Sequence, residues 1–178
     1  MIGVHSLEVQ RNLHMARPNF PTRPQKIISG GQTGADSGAL VAARELGIAS
    51  GGTAPRGWLT EDGPRESQLR AFGLLECGKD GFPARTRRNV VDSNGTLLVG
   101  KYGTGGSRLT YEVARELAKP LFHISYREHR DRSEEFRHWL EENNVVILNV
   151  AGNRESQSPG IEEFTRNFLV RALSIERR

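Results

Sequence analysis

Three short apolar runs, each followed by a glycine-rich polar loop, constrain the fold of this chain more than any other feature. The apolar runs are Ile27–Ile28, Leu97–Gly100 and Val146–Val150. We name the loops that follow them loop one (residues 29–34), loop two (residues 101–107) and loop three (residues 151–154). If the runs are parallel strands, the loops leave the same edge of one sheet and converge on a crevice where open α/β sheets bind ligands. Because glycines admit an anion close to backbone N–H groups, this pattern predicts a site for a phosphorylated, nucleotide-like molecule.

Strand and helix signals alternate from Lys26 onward. Apolar residues recur at helical spacing after loop one, and Gly47 follows the last of them as a stop signal. Ser107, Ser133 and Pro159 are expected at the starts of later helices. Strands that alternate with helices of about ten residues indicate βαβ units. We therefore predict an α/β three-layer sandwich with a mostly parallel central sheet of about five strands and one short edge strand.

Length and composition indicate one globular domain. A chain of 178 residues can bury a substantial core, and we assign residues 25–178 to a single ligand-binding domain. Prolines punctuate residues 1–24, which we predict to be a flexible N-terminal tail. No apolar stretch approaches membrane-spanning length, so we expect no membrane association. The 25 basic residues are interspersed with 21 acidic ones, which disfavours nucleic-acid binding and suits an anionic small molecule.

Cys77 is the only cysteine, so the chain cannot form an internal disulfide. A reducing, cytoplasmic location is the natural interpretation. Neither a second cysteine nor a spaced pair of histidines suggests a zinc site, and we expect no metal ligands from the protein.

Loop one lacks the lysine of a P-loop and does not match the G-x-G-x-x-G spacing, yet its glycines and the helix start after it are typical of an anion nest. The amide of Gln32 can hydrogen-bond a base or a sugar. Asp36 is expected in the first helical turn, where it is either a partner of the helix dipole or a ligand contact.

Loop two offers more donors. We expect the backbone amides of residues 105–107, with the hydroxyls of Thr104, Ser107 and Thr110, to enclose a phosphate. Arg56 and Lys101 are loop cations within reach of an anion. Arg85 is expected at the start of the helix before the second run, which puts it at the ligand edge of the sheet.

Glu112 has two interpretations. A carboxylate near a phosphate is unfavourable unless it binds sugar hydroxyls, a cation or an arginine. Alternatively, Glu112 is an exposed helical residue paired with Arg108 or Arg115.

The ordered series of motifs resembles the molybdenum carrier family, whose members include molybdenum cofactor carrier proteins. The matching stretches span nearly all of residues 26–175 and read IISGGQTGAD, GIASGGTAPRGWLTEDGP, RTRRNVVDSNGTLLVG, GTGGSRLTYEVARELAKP and VVILNVAGNRESQSPGI. The family belongs to a wider Rossmann-like superfamily that includes the lonely-guy phosphoribohydrolases and DNA-processing protein A.

The resemblance implies a Rossmann-like homo-oligomer that binds molybdenum cofactor (molybdopterin), an anionic pterin bearing a phosphate and a dithiolene-bound oxo-molybdenum. A carrier of this kind protects the cofactor and passes it to molybdoenzyme acceptors. The dithiolene, not the protein, supplies the sulfurs. The residues that the resemblance implies for binding are Gly30, Gly31, Gln32, Thr33, Gly34, Arg56, Asp92, Ser93, Gly103, Thr104, Gly105, Gly106, Ser107, Asn149 and Gly152.

The superfamily also suggests an enzymatic alternative. Gly105 and Gly106 stand before Glu112 with the offset of the phosphoribohydrolase motif, and Arg85 precedes Ser93 as the superfamily's catalytic arginine precedes its serine. Arg108 and Leu109, however, replace the Gly-Thr of those enzymes. We therefore expect a binding protein without catalytic residues, with two alternatives: a nucleoside-monophosphate phosphoribohydrolase that uses Arg85 and Glu112, or a sensor of a nucleotide-derived ligand.

Overall fold

The computed structural model describes residues 23–78, 81–126 and 130–174. The tail predicted over residues 1–24 therefore lies, except for its last two residues, outside the part described. The elements in chain order are β1 (Lys26–Ile28), α1 (Ala35–Glu45), β2 (Ala49–Ala54), a 3₁₀ turn (Arg56–Trp58), β3 (Leu59–Thr60), β4 (Gly63–Pro64), α2 (Glu66–Ala71), β5 (Leu74–Glu76), α3 (Phe82–Val91), β6 (Gly95–Val99), α4 (Gly105–Glu116), β7 (Leu121–Ile124), α5 (Ser133–Glu142), β8 (Ile147–Gly152) and α6 (Ile161–Leu173).

Six strands form one parallel sheet in the order β5-β2-β1-β8-β6-β7. Strands β3 and β4 form a separate antiparallel pair. The chain builds outward from β1 to β5 on one side, then fills the other side and ends with β8 beside β1. The switch point of the sheet therefore lies between β1 and β8, where loops one and three emerge.

Helices cover both faces of the sheet and make the three predicted layers. On one face α1, α5 and α6 pack against apolar side chains of the central strands, among them Ile27, Leu97, Val99, Leu148 and Val150, which are fully buried. On the other face α3 packs against α4 through a smaller apolar cluster. Every residue of β6 is buried, which explains its continuous apolar sequence. The predicted α/β fold with a parallel central sheet is confirmed.

Helix ends follow glycine more closely than they follow serine. Gly47 has a φ of 64°, and its N–H group bonds the carbonyl of Arg44, so α1 ends at the predicted glycine. Helix α4 begins at Gly105, two residues before the predicted cap Ser107. The amino end of α5 is capped by Asp131, whose carboxylate accepts the N–H of Ser133 at 3.0 Å.

Helix α6 begins after Gly160 rather than at the predicted Pro159. Gly160 has a φ of 89°, which a proline ring cannot adopt, so the turn into this helix is set by glycine. Across the three described segments, no helix combines the length and the apolar character that crossing a bilayer requires.

Candidate functional site

The three glycine-rich loops meet at the carboxyl edge of the sheet. A crevice with a volume of about 240 Å³ opens there. Its lining residues are Gln32, Asp36, Phe82, Arg85, Thr86, Thr104, Gly105, Gly106, Ser107, Thr110, Ala151, Gly152, Arg154 and Gln157. Loop one, loop two and loop three all contribute, because parallel strands deliver their following loops to one edge.

The amino end of α4 faces this crevice without a side-chain cap. Thr104 is the N-cap residue, and its hydroxyl makes no capping hydrogen bond. The N–H groups of residues 105–107 belong to the first turn, where an α-helix supplies no acceptor. A Cβ atom added at Gly105 or Gly106 would meet nothing within 4 Å. Loop two therefore offers backbone donors, with the positive end of a helix dipole, to a molecule entering the crevice.

The side chains of Ser107 and Thr110 are buried beside these donors. The hydroxyl of Thr110 donates to the carbonyl of Gly106 at 2.9 Å, which fixes the first turn of α4. Both residues line the crevice, and the bond to Gly106 occupies the Thr110 proton.

Loop one uses its donors within the protein. The N–H of Gly31 bonds the hydroxyl of Ser29 at 3.2 Å, and the N–H of Thr33 bonds the side-chain carbonyl of Gln32 at 3.1 Å. The N–H of Gln32 bonds the carboxylate of Asp36 at 3.1 Å. The anion nest predicted for loop one is thus filled by the protein's own carboxylate, which leaves few donors for a ligand.

Close contacts, rather than ligand access, account for the glycines of loop one. A Cβ atom at Gly30 would lie 1.5 Å from a guanidinium nitrogen of Arg85. Gly34 has a φ of 73°, and a Cβ atom there would lie 2.5 Å from the carbonyl oxygen of Asn153. Gly30 therefore provides the space that Arg85 occupies, and Gly34 allows loop one to contact loop three.

Asp36 and Arg85 form an ion pair at the floor of the crevice. Their atoms Oδ2 and Nη1 are 3.2 Å apart, and their side chains are only 5% and 11% exposed, respectively. Burial raises the pKa of Asp36 above its ordinary value, because the loss of water outweighs the opposing effects of Arg85 and of the Gln32 N–H. The sequence left open whether Asp36 contacts the helix end or a ligand, and the contacts observed are with Arg85 and loop one.

Two donors in the crevice are buried without a partner among the described residues. They are Nε of Arg85 and the amide nitrogen Nε2 of Gln32. Buried polar atoms in folded proteins are nearly always hydrogen-bonded, and each exception requires an explanation. Donors of this kind at the wall of a crevice are suited to acceptor atoms on a bound molecule.

Glu61 is a structural residue that no motif in the sequence singled out. Its carboxylate accepts hydrogen bonds from the Thr33 hydroxyl, from the Ser156 hydroxyl and from the Ser156 N–H, the last at 3.2 Å. Burial opposes ionisation of Glu61, but these hydrogen bonds prevail and lower its pKa below the ordinary value. The Thr33 hydroxyl, predicted for the ligand, is therefore bound to Glu61.

Three residues proposed for binding lie away from the crevice. Asp92 and Ser93 precede β6, so they lie at the amino edge of the parallel sheet, opposite the crevice. Asp92 pairs there with Arg88 at 2.6 Å, and the Ser93 hydroxyl donates to the carbonyl of Val90. Asn149 lies inside the sheet, where its amide is 3.3 Å from the Thr96 hydroxyl. The motif match selected these residues for binding, but Asp92 and Ser93 lie at the opposite edge of the sheet and Asn149 lies within it.

The two loop cations, Arg56 and Lys101, do not line the crevice. Arg56 is exposed in the 3₁₀ turn after β2. Lys101 lines a neighbouring cavity of about 660 Å³, which shares Gln157 with the crevice. The side chain of Asn153 holds this part of loop two, because it bonds both the N–H of Lys101 at 2.7 Å and its carbonyl at 2.9 Å. Gly103 is exposed nearby, and Gly152 lines the crevice.

Glu112 lies on the exposed side of α4. Its carboxylate is 2.7 Å from Nε of Arg108, and both side chains are more than half exposed. It does not line the crevice, whereas Arg85 does. The observed pairing corresponds to the second interpretation from the sequence, and the two residues proposed for hydrolysis are not brought together.

Sequence reasoning missed five residues that line the crevice, namely Phe82, Thr86, Ala151, Arg154 and Gln157, and two of them have large side chains in contact with each other. Phe82 is the first residue of α3, and Arg154 is the last residue of loop three. The guanidinium carbon of Arg154 lies 5.2 Å from the centre of the Phe82 ring. The only signal available in the sequence was position, since Phe82 begins a helix and Arg154 follows a strand at the carboxyl edge of the sheet.

Throughout the described part of the chain, no group of three or more His, Cys, Asp or Glu residues could hold a metal ion.

The fold and its loops together define a Rossmann-like α/β protein with a crevice at the switch point of its sheet. The model of the family described as "Circularly permutated YpsA SLOG family" matches residues 27–173. The chain therefore belongs to the circularly permutated YpsA SLOG family.

One solved structure that resembles this chain is that of a protein from Syntrophus aciditrophicus SB named "Putative molybdenum carrier protein". The two chains are 36% identical and superpose with a TM-score of 0.78, and the match covers 85% of this chain and 96% of the other. The resemblance predicted from the motifs is confirmed. No curated protein matches this chain significantly.

Proposed function

We propose that this protein binds an anionic, phosphate-bearing small molecule in the crevice and that this molecule is molybdenum cofactor, held as cargo. The observation that carries the proposal is the uncapped amino end of α4, whose glycines leave open space in front of the donors. The choice of cargo draws on the 36% identity with a protein named as a molybdenum carrier. Working as a carrier, the protein would act in the cytoplasm as a homo-oligomer and deliver its cargo to molybdoenzymes.

The residues of the crevice fit such a cargo chemically. A phosphate group suits the N–H groups of residues 105–107, because a helix start stabilises negative charge. Arg85 and Arg154 add positive charge, and the unpartnered amide of Gln32 suits an acceptor on a pterin ring. The dithiolene of the cargo provides the sulfur ligands of molybdenum, so the protein needs none.

The direct test is chemical analysis of the protein purified without oxygen. Mass spectrometry is expected to detect a phosphorylated pterin, and metal analysis is expected to detect molybdenum in proportion to it. Material prepared in a strain unable to make the cofactor serves as the control and is expected to contain neither. If the purified protein carries a different phosphorylated molecule, the proposed phosphate site stands, but the proposal that the cargo is molybdenum cofactor is wrong.

A substitution tests the position of the phosphate. Gly106→Asp places a carboxylate at the helix start, where repulsion is expected to weaken binding of a phosphorylated ligand by about tenfold or more. Gly78→Asp is the matched control, because it adds the same charge at another glycine where a Cβ atom meets nothing within 4 Å and which does not line the crevice. If Gly106→Asp binds ribose 5-phosphate as tightly as the wild type, the phosphate does not lie at α4. Calorimetric titration of both variants makes the comparison.

A second candidate function is hydrolysis of a nucleoside monophosphate, which the position of Arg85 in the crevice favours. Incubation with a panel of nucleotides would release free base if the protein were such an enzyme. Binding of one nucleotide without release would instead support a sensor. The exposed pairing of Glu112 with Arg108 is the reason that we rank both candidates below a carrier.

A further inference from the structure

We propose that Phe82 and Arg154 form a platform on which the planar heterocycle of the bound molecule stacks. This inference rests on the proposed function and deepens it. It defines the ligand class as a phosphate joined to a flat, conjugated ring, and it assigns recognition of that ring to two residues outside the glycine-rich motifs.

The direction of α3 brings Phe82 to the crevice. Phe82, Arg85 and Thr86 occupy positions i, i+3 and i+4, which lie on one face of a helix, and all three line the crevice. Arg85 is held inward by its ion pair with Asp36. The same face therefore directs the Phe82 ring toward the cavity that receives the donors of α4.

Phe82 is a large apolar side chain that remains 38% exposed. A single exposed apolar residue on a protein surface is ordinary. Phe82 differs because it lines a polar crevice, together with the donors proposed for phosphate. An aromatic surface in that position provides the apolar contact that binding sites combine with a few polar groups.

Arg154 completes the platform from loop three. Its guanidinium carbon lies 5.2 Å from the Phe82 ring centre, so two planar, conjugated groups, one from loop three and one from α3, are already associated. Heterocyclic bases stack on aromatic rings and on guanidinium planes. The positive charge of Arg154 also suits a ligand that carries a phosphate.

Gln32 provides an independent indication that a polar ring edge belongs here. Its side chain is only 5% exposed, and Nε2 has no partner among the described residues. The other amide atom, Oε1, accepts the N–H groups of Thr33 at 3.1 Å and Glu61 at 2.8 Å. These two bonds fix the amide, so the NH₂ group is the part available to donate to a ring nitrogen or carbonyl.

The test compares ligands with and without a ring. Guanosine 5′-monophosphate carries a planar heterocycle and a phosphate, whereas ribose 5-phosphate carries the phosphate alone. In the wild type, calorimetric titration is expected to show that the nucleotide binds at least about tenfold more tightly than ribose 5-phosphate. We call the affinity for the nucleotide divided by the affinity for ribose 5-phosphate the affinity ratio. In Phe82→Leu this ratio is expected to fall to about two or less, with the affinity for ribose 5-phosphate unchanged.

Two further variants control for structure. Phe82→Tyr keeps an aromatic ring and is expected to retain the wild-type ratio. Val91→Ala changes an exposed apolar residue at the other end of α3 and is expected to retain it too. Thermal unfolding of each variant checks that α3 remains folded.

The outcomes separate this inference from the proposed function. A ratio that survives in Phe82→Leu, or a wild-type ratio near one, overturns the platform and leaves the phosphate site standing. Failure of the wild type to bind either compound overturns the phosphate site itself, and the platform with it. A ratio lost in Phe82→Leu and kept in Phe82→Tyr supports both.

Discussion

Loop one and loop two have similar compositions but opposite structures. Residues 29–34 are all buried, and glycines there are in contact with side chains or backbone of other segments. Residues 101–106 are all exposed, and added Cβ atoms at Gly103, Gly105 and Gly106 meet nothing within 4 Å. The donors of loop one bind Ser29, Gln32 and Asp36, whereas the first turn of α4 has no cap.

The difference shows that a glycine-rich loop can serve two purposes at the same edge of a sheet. In loop one the missing side chains let Arg85 and loop three approach the backbone. In loop two they leave the space open in front of the N–H groups. Loop one therefore builds the floor of the crevice, and loop two is the part that can receive an anion.

The largest expected effect comes from a substitution that disrupts the packing of loop one. Gly34→Ala adds a methyl group at a φ of 73°, 2.5 Å from the carbonyl oxygen of Asn153. Neither backbone can yield without moving a central loop. The free energy of unfolding is therefore expected to fall by about 3 kcal/mol, measured by urea denaturation.

Gly106→Ala is the matched substitution at the start of the other helix. Its added Cβ atom meets nothing, and alanine favours helix formation. Stability is expected to stay unchanged or to rise by up to about 1 kcal/mol. Equal losses in both variants would contradict the division between a packed loop and an open loop.

Hydroxyl groups provide the next comparison. Thr33→Val removes the hydrogen bond to Glu61 and the acceptor for the Glu155 N–H, so the free energy of unfolding is expected to fall by about 1–2 kcal/mol. Ser107→Ala lies in the first turn of α4 and is expected to change that quantity by less than about 0.5 kcal/mol.

For ligand affinity we expect the opposite ranking, with Ser107→Ala affected more than Thr33→Val. Ser107→Ala is expected to weaken binding of ribose 5-phosphate by about tenfold, because a hydroxyl bound to a charged group contributes more than one bound to a neutral group. Calorimetric titration measures the affinity for ribose 5-phosphate, and urea denaturation measures the free energy of unfolding. A stability loss in Ser107→Ala as large as that in Thr33→Val would mean that both hydroxyls serve the fold.

A smaller effect concerns the pH dependence of stability. The pKa of Asp36 is raised by burial in the folded protein, so the folded state holds its proton to a higher pH than the unfolded state does. This contribution to stability is complete below pH 3.8, the ordinary pKa of the group, and declines as the pH rises through the folded-state pKa. The stability of the wild type relative to Asp36→Asn is therefore expected to fall from pH 3.5 toward neutral pH, as measured by urea denaturation at each pH.

The opposite slope would show that Arg85 and the N–H of Gln32 outweigh burial at Asp36. Glu61→Gln provides a useful counterpart, because the pKa of Glu61 is lowered. The stability of the wild type relative to that variant is expected to decline as the pH falls below the ordinary value of 4.5. The two variants thus distinguish the buried carboxylate of the floor from the hydrogen-bonded one beside it.

Sequence alone gave the sheet edge and the meeting of the three loops, because strand direction and loop position follow from apolar runs and glycines. It could not distinguish the roles of the glycines, since those depend on Arg85 and Asn153, which are distant in the chain. Asp92 and Ser93 were selected by a motif, although a residue before a strand lies at the other edge. Phe82 belongs to no motif, and its position at the start of a helix was the only signal in the sequence.

The smallest expected effect tests the exposed side of α4. Glu112→Gln removes an ion pair with Arg108 in which both side chains are more than half exposed, and such pairs contribute little to stability. The variant is expected to unfold at the wild-type urea concentration and to bind ribose 5-phosphate with wild-type affinity, because Glu112 does not line the crevice. Arg85→Gln, by contrast, removes a charge from that crevice and is expected to weaken binding. A loss of binding in Glu112→Gln, or release of base from a nucleotide that this variant abolishes, would bring Glu112 into the site and favour the hydrolase over the carrier.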